Sequence, residues 1–170
     1  MAHESAVVRA ARAGDADALG ALYRTHGGRL LRLCAGLLGT RVDAEDVVHD
    51  VFVALPEALG RYREDGRFDA WLTRITVRTA LMRLRATRRR REVPEVDVAG
   101  RDEEDRQAAH RTVESLLARL PEEQRAVVVL KAIEGWSHAD IGRTLGIRAN
   151  TSEVRYCRAL KALRAMTRDR

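Results

Sequence analysis

The sequence has few of the residues that mark secreted, metal-binding or membrane proteins. It contains two cysteines, Cys34 and Cys157, which lie far apart in different helical patterns, so neither a disulfide framework nor a thiolate metal cluster is expected. No segment has the run of about 20 apolar residues that spans a bilayer, and the first residues hold no uninterrupted apolar core. These absences predict a cytoplasmic protein that is neither exported nor membrane-embedded.

Aromatic residues are also scarce, at 4% of the chain, and there are only three prolines. The hydrophobic fraction is nonetheless 45%, which excludes a disordered chain, and Ala, Leu, Val, Arg and Glu dominate. That mixture favours helices whose cores are aliphatic. The formal net charge of +6 favours a polyanionic partner such as nucleic acid.

Helical periodicity runs through nearly the whole chain, and no alternating strand pattern competes with it. Asp15 is expected to cap a helix that Gly27 and Gly28 interrupt, and Asp43 to cap a helix that Pro56 kinks or ends. A long helix with a strongly basic far end follows. Its expected buried stripe is Phe68, Trp71, Leu72, Ile75, Thr79 and Met82.

At Glu92 the composition becomes acidic, and "EVPEVDVAGRDEED" has little periodicity, as expected of a linker. The helical pattern returns near Gln107, and Pro121 is expected in the first turn of a further helix. The sequence therefore predicts an all-α fold. It has two small helical domains, residues 1–91 and 107–170, joined by a flexible acidic linker, residues 92–106.

The segment "HADIGRTLGIRANTSEVRYCRALK" has the lengths of a helix-turn-helix, whose second helix enters the major groove of DNA. Ser137 and Asp140 form a capping-box-like start, Gly146 stops the first helix, and Asn150 is expected to cap the second. An amphipathic helical hairpin with a solvated basic face is the alternative. The residues expected to face DNA are Arg148, Asn150, Thr151, Glu153, Val154, Arg155 and Arg158.

Glu153 is an unusual residue for a surface that approaches phosphates. As the third residue after Asn150 it could bond back to the free backbone N–H of the cap, or it could accept a hydrogen bond from cytosine N4. The capping role is the favoured interpretation, and the two roles are compatible.

A second nucleic-acid surface is indicated in the first domain. The charged loop "GRYREDGR" lies beside Phe68 and Trp71, and cationic and aromatic groups together suit the unstacked bases of a single strand. Phe68 and Trp71 are expected mainly in the core, and Tyr62 is the better candidate for an exposed ring. Two such surfaces on a tether predict a protein that grips two separated DNA elements.

Catalytic and metal-binding motifs are weak by comparison. Asp46 and His49 have the i, i+3 spacing of a helical metal-ligand pair, but no second copy completes a site. The chain has neither a Gly-rich phosphate loop nor a nucleophile elbow. No metal, cofactor or enzyme activity is expected. A stand-alone helix-turn-helix regulator and an enzyme built on the Asp46 and His49 pair are the alternatives.

The order and spacing of these motifs resemble the extracytoplasmic-function (ECF) sigma factors of bacterial RNA polymerase. "DAEDVVHDVF" resembles the family's region 2.2 helix, and "RFDAWLTRITVRTALMRLR" is similar to its promoter-melting helix. "LARLPEEQRAVVVLKAIEGWSHADIGRTLGIRANTSEVRYCRALKALR" resembles region 4. The resemblance implies a sigma factor that binds core RNA polymerase, directs transcription initiation by recognising -10 and -35 promoter elements, and has no catalysis of its own.

The resemblance also implies roles for particular residues and partners. The clamp helices of the largest polymerase subunit would contact Asp43, Glu45, Asp46, His49, Asp50 and Phe52. The -10 element, held as a single strand, would contact Arg61, Tyr62, Arg63, Arg67, Trp71, Arg74 and Arg78. The last helix would read the -35 element as duplex. The flap of the second largest subunit and an anti-sigma factor are further implied partners.

The chain departs from the family's pattern at five positions, the first of which is His49, where a Gln is usual. Arg78 stands where the family often has Asn, and Met82 where it often has Asp. In the last helix, Ser152 replaces a commonly aliphatic residue and Glu153 a commonly basic one.

Overall fold

The structure, a computed structural model, describes residues 2–63, 67–92 and 113–168, and every element in those ranges is helical. The predicted all-α fold is confirmed; of the predicted linker, residues 93–106 lie outside the described residues. The helices are α1 (Ala2–Arg12), α2 (Ala16–Leu38), α3 (Arg41–Leu59), α4 (Phe68–Glu92), α5 (Val113–Ala118), α6 (Glu122–Val128), α7 (His138–Leu145) and α8 (Ala149–Arg168), with a π-helical turn at Val129–Ile133 after α6.

The chain divides into two compact units. The first comprises residues 1–34 and 41–83, and the second comprises residues 35–40 and 84–170. The core of the first unit is aliphatic, as the composition predicts, because leucines and valines from α2, α3 and α4 fill it. Its most deeply buried members include Leu30, Leu33, Val47, Leu55, Leu59, Leu72 and Val77.

Helix α2 is continuous, so the interruption expected at Gly27 and Gly28 is wrong. The expected cap is confirmed, since the backbone N–H of Ala18 donates to Asp15 Oδ1 at 2.9 Å. Each interior glycine costs a helix about 1 kcal/mol, but burying a leucine contributes about 1.5–3 kcal/mol. The buried leucines on both sides of the glycine pair therefore hold the helix together.

Helix α3 differs from expectation at its start, and of the two outcomes expected at Pro56, a kink or an end, the end does not occur. The helix begins at Arg41, so Asp43 lies in the first turn and is not the cap. It also continues through Pro56 to Leu59. Proline removes one backbone hydrogen bond, but Leu55 and Leu59 are both fully buried, and their packing keeps this last turn helical.

The buried stripe of α4 is rotated from the one expected. Phe68 and Leu72 are buried as predicted, but Met82 is 67% exposed and Thr76 is fully buried. Thr76 Oγ1 donates to the Leu72 carbonyl at 2.9 Å, so its hydroxyl is satisfied inside the helix and only its small apolar part meets the core. The opposite face of α4 carries the arginines.

The second unit is built around α6, the π-helical turn and α8. Pro121 is the N-cap residue of α6 and not a first-turn residue as expected, and the carbonyl of Pro121 accepts from the N–H groups of Gln124 and Arg125. The Arg125 guanidinium is buried in this unit, where it donates to the carbonyls of Leu37 at 3.1 Å and Leu38 at 3.3 Å. Residues 35–40 thereby join the second unit.

Candidate nucleic-acid interface

Helices α7 and α8 form the predicted helix-turn-helix. Ser137 caps α7, with its Oγ accepting from the N–H of Asp140 at 3.1 Å, and Gly146 ends it in the left-handed conformation, φ 71°. The Ile147 N–H returns to the Gly142 carbonyl at 3.0 Å, which closes the turn. Both predicted signals of α7 are confirmed.

One face of α8 and the turn before it is open to solvent. Arg148, Asn150, Glu153, Val154 and Arg158 are exposed, and Thr151 is half-buried. Cys157 is exposed on the same helix. Guanidinium groups on such a face suit phosphates and guanine edges.

Arg155 differs from the other predicted contact residues because it is turned toward α6. Its Nη2 lies 2.5 Å from Glu123 Oε2, and its side chain is largely covered. This ion pair braces α8 against α6 within the second unit.

The start of α8 corrects the expected cap. The helix begins at Ala149, and the carbonyl of Arg148 accepts the first intrahelical bond from Ser152 N–H, so Asn150 lies in the first turn. Glu153 is then the fifth helical residue, beyond the third position that a capping box requires. The capping role favoured for Glu153 is therefore wrong, and its exposed carboxylate is available to a partner.

A basic stripe runs along the exposed face of α4. Arg74 and Arg78 are both exposed and four residues apart, so they lie on one side of the helix, and Arg67, directly before the helix, is exposed as well. Arg85 and Arg89, which belong to the second unit, are also exposed. Arg61 and Arg63 are exposed in the segment before α4.

An aromatic cluster packs beneath the start of α4. The Tyr62 ring lies 4.9 Å from the Trp71 ring and 5.6 Å from the Phe68 ring, measured between centroids. Tyr62 is only 7% exposed and Phe68 is buried, whereas Trp71 is half-buried. The expectation that Tyr62 carries the exposed ring is wrong, because two neighbouring aromatic rings provide it with a dry packing site. Trp71 is the ring of this cluster that solvent reaches most.

A polar network from α2 holds the first turn of α4. Arg29 Nη2 donates to Asp69 Oδ1 and to Thr73 Oγ1, both at 2.7 Å, and His26 Nδ1 lies 3.1 Å from the same Asp69 oxygen. Asp69 also favours the positive end of the α4 dipole. Sequence reasoning missed this network, since its partners are 40 to 44 residues apart and no motif links them.

Helix α3 carries an acidic face. Glu45, Asp46, His49 and Asp50 are exposed, and Asp43 is half-buried. Asp46 accepts from Arg83 Nη2 at 2.8 Å, while the same nitrogen lies 3.8 Å from Asp43 Oδ1. The acids on α3 are therefore partly neutralised and oriented by α4.

Apolar groups border this acidic face. Val42, directly before Asp43, is 72% exposed, and Val53, three residues after Asp50, is 67% exposed; sequence reasoning did not single them out. Phe52 is half-buried, with its ring edge against Tyr23 at 5.0 Å. Such a mixture of apolar and acidic groups suits a protein partner with a basic surface.

The remaining reactive groups form no further site among the described residues. No group of three metal-binding side chains occurs in them, and Asp46 is engaged by Arg83. Burial raises the pKa of the Cys34 thiol to about 12. No helix in the described ranges is both long and apolar enough to cross a membrane.

Comparison with known proteins matches both halves of the chain. A family model for sigma-70 region 2 matches residues 22–90, and one for sigma-70 region 4 matches residues 110–163. The ECF RNA polymerase sigma factor SigM of Mycobacterium tuberculosis is 37% identical over 150 residues, covering 86% of this chain and 76% of SigM.

Solved structures share the fold. CnrH, solved in complex with the cytosolic domain of CnrY, is 29% identical with a TM-score of 0.63, and 96% of each chain is covered. The sigma factor RpoE from Bartonella quintana, solved with the anti-sigma factor NepR, has a TM-score of 0.62 at 20% identity, covering 86% of this chain and 94% of RpoE.

The fold and its surfaces define a helical DNA-binding protein with a helix-turn-helix in its second unit. The family matches then make the class specific. This chain belongs to the sigma-70 family and, within it, to the ECF sigma factors. It is an RNA polymerase sigma factor, which directs core polymerase to promoters by recognising -10 and -35 elements.

Proposed function

We propose that three exposed helix faces divide the work of promoter recognition. The acidic face of α3 docks core polymerase, the basic stripe of α4 holds the -10 element, and α8 reads the -35 element. The observation that carries this proposal is the segregation of charge, with exposed acids on α3 and exposed arginines on α4 and before α8. In this division residues 1–91 and 107–170 are the two working domains, and residues 92–106 link them.

The docking surface consists of Asp43, Glu45, Asp46, His49, Asp50 and Phe52. Its partner is the clamp helices of the largest polymerase subunit. Arg83 holds the Asp46 carboxylate, whereas Asp50 lies farther along the same exposed face, and Val53 supplies apolar area beside it. Removal of such apolar area from water contributes about 25 cal/mol per Å², and the carboxylates give the docking its orientation.

The -10 surface consists of Arg61, Arg63, Arg67, Trp71, Arg74 and Arg78, with Tyr62 buried beneath it. The arginines bind the phosphates of the separated strand. Trp71 offers a partly exposed ring against which an unstacked base can pack, a contact worth about 1–3 kcal/mol per base. Tyr62 supports that ring from below and does not itself stack on DNA.

The -35 surface consists of Arg148, Asn150, Thr151, Glu153, Val154, Arg155 and Arg158. Arg148 and Arg158 are the primary cationic contacts because both are exposed. Arg155 must exchange Glu123 for a phosphate before it contributes. Glu153 accepts a hydrogen bond from cytosine N4 in the major groove, a contact worth about 1–3 kcal/mol of discrimination.

The chain acts without catalysis of its own, because polymerase performs the chemistry. It works in the cytoplasm. The flap of the second largest polymerase subunit is a further contact of the second domain. An anti-sigma factor is a further partner, since the similarly folded RpoE was solved with one.

The docking proposal is tested by reversing Asp50 to Lys. Asp46 is a poorer choice because its reversal would also set a lysine beside Arg83. The matched control is Asp17→Lys, which makes the same charge change at an exposed position on α2. Affinity for core polymerase is measured by fluorescence anisotropy of the labelled full-length protein.

Asp50→Lys should weaken polymerase binding at least about tenfold, as expected for one charge of a complementary interface, while Asp17→Lys changes it little. Equal affinities for the two variants would exclude α3 as the docking surface. Tight duplex binding by the protein alone, with no binding to core polymerase, would instead favour a stand-alone regulator.

A further inference from the structure

A polar pair, one member of which is fully buried, joins the two helices of the helix-turn-helix. His138, the first residue of α7, has Nδ1 at 2.9 Å from Ser152 Oγ on α8. Ser152 is completely buried, and the His138 ring also lies edge-to-face against Tyr156, 5.7 Å between centroids. His138 therefore touches α8 at two points one turn apart.

Those two contacts fix α8 in two ways. Residues 152 and 156 lie on one side of the helix, so contact with both defines the position of α8 along its axis and its rotation about that axis. A buried hydroxyl must keep its hydrogen-bond partner, which an aliphatic side chain at the same place would not require. The hydrogen bond between Ser152 and His138 can thus form only over a narrow range of rotation of α8 about its axis.

Rotation of α8 matters because Ser152 lies between Thr151 and Glu153. A helix with its side chains has a radius of about 5–6 Å, so a rotation of about 20° moves the outer side chains by about 2 Å. Hydrogen bonds to base edges are lost over a displacement of that size, because they tolerate distances of only about 2.7–3.2 Å.

We propose that His138 is a positioning residue for -35 recognition. It sets the rotation of α8 through Ser152 and thereby determines which base edges the exposed residues reach, without contacting DNA itself. This inference depends on the proposed role of α8 as the reader of the -35 element.

Two substitutions at His138 separate its contacts. His138→Asn places an amide atom near the position of Nδ1, so it keeps the bond to Ser152 but loses the ring contact with Tyr156. His138→Phe keeps a ring and loses the bond. Ser152→Ala removes the same bond from α8 with almost no change of volume, and it leaves the His138 side chain in place.

The experiment uses holoenzyme assembled from full-length protein and core polymerase. Duplex promoters randomised over the -35 region are selected by binding to wild-type holoenzyme, and the bound fraction is sequenced. For holoenzyme containing each variant, we measure the affinity for a duplex with the selected -35 sequence and for a duplex with a scrambled one. The ratio of the two affinities is the -35 preference of that variant. Affinity for core polymerase and binding of a single-stranded -10 oligonucleotide report any general loss of structure.

His138→Phe and Ser152→Ala should each lower that ratio at least about fivefold, the low end of one base-edge contact, while His138→Asn stays within about twofold of wild type. Polymerase and -10 binding should not change. If Ser152→Ala keeps the full ratio, or if His138→Asn loses as much as His138→Phe, the inference is overturned. If wild-type holoenzyme itself shows no -35 preference, the proposed function of α8 fails first.

Discussion

Replacement of Gly142 by Ala should destabilise the helix-turn-helix, although the same change stabilises most helices. Gly142 lies inside α7, where an ideal Cβ would sit 2.7 Å from the Ile147 carbonyl oxygen and 3.3 Å from the Ala149 nitrogen. Both are backbone atoms, one in the turn and one at the start of α8, and neither can rotate away as the end of a side chain could. The turn passes so close to α7 that no side chain fits between them.

The size of the effect follows from two opposing terms. Alanine in place of a helical glycine contributes about 1 kcal/mol. The turn must move by about 0.7 Å to bring a 2.7 Å contact to an ordinary 3.4 Å, and overpacking of this kind costs about 1–3 kcal/mol. Since the same movement stretches the bond from Ile147 N–H to the Gly142 carbonyl, we expect the upper part of that range and a net loss of roughly 1–2 kcal/mol.

Gly28 provides the matched control. It lies inside α2 and is exposed, and the nearest atom to its ideal Cβ is the mobile Arg32 Nη1, at 3.8 Å. Gly28→Ala should therefore stabilise its helix by about 0.5–1 kcal/mol. Native-state hydrogen exchange of the full-length protein measures both effects locally, with amides of α7 and α8 less protected in Gly142→Ala and amides of α2 more protected in Gly28→Ala.

If the amides of α7 and α8 exchange more slowly in Gly142→Ala than in the wild type, the reasoning is refuted, because the turn then moves without a cost in free energy. Unchanged protection would show that the movement of the turn costs only about as much as alanine contributes, and the distances would then overstate the close approach. The displaced turn should also weaken binding to the -35 element, since Arg148 belongs to that turn.

Other predictions concern charge, reactivity and capping. Arg158→Gln should lower the slope of log affinity against log salt for -35 duplex by about 0.9, because one phosphate contact is lost; an unchanged slope would place Arg158 off the backbone. At pH 8 a thiol reagent should modify Cys157 quickly and Cys34 slowly, because burial raises the pKa of Cys34 to about 12 and keeps it neutral; two fast thiols would contradict that burial. Asp15→Ala should cost about 1 kcal/mol in urea unfolding, since the N–H of Ala18 loses its acceptor, and no change would show that water replaces the cap.

Local signals in the sequence predicted much of the second unit. The Ser137 and Asp140 start and the Gly146 stop are confirmed because each depends on backbone groups within a few residues. Capping and turn formation of this kind depend only on residues close together in the sequence, so they can be predicted from a single sequence. The exposed arginines of α4 and α8 were predicted for the same reason, as helical spacing alone separates them from the buried side.

Tertiary packing explains what the sequence did not predict. Tyr62 is buried because it packs against Phe68 and Trp71, whereas Met82 is exposed and the smaller Thr76 is fully buried. Hydrophobicity alone would bury Met82 and expose Thr76. Only the position of α2 and α3 against α4 decides which face turns inward.

Helix boundaries were the other source of error. Asp and Asn are favoured residue types at helix N-caps, and the sequence therefore indicated Asp43 and Asn150 as caps. The helices begin before them, however: α3 begins at Arg41, two residues before Asp43, and α8 begins at Ala149, one residue before Asn150. For Asn150 the shift changes the proposed chemistry, because it releases Glu153 from the capping box. A carboxylate with no role in the helix start is a stronger candidate for reading a base.

The exposed and buried residues of the helix-turn-helix contribute to different parts of recognition. In the proposed function, exposed arginines such as Arg158 bind phosphates, which raises affinity for every DNA sequence and is weakened by salt. Discrimination needs base-edge contacts in the right register, and the small buried residues Gly142 and Ser152 determine how closely and at which rotation α8 meets the turn and α7. We therefore expect a partial result when the exposed residues of α8 are introduced into a relative that lacks His138 and Ser152. The recipient should gain affinity for DNA more completely than it gains the -35 preference of this protein.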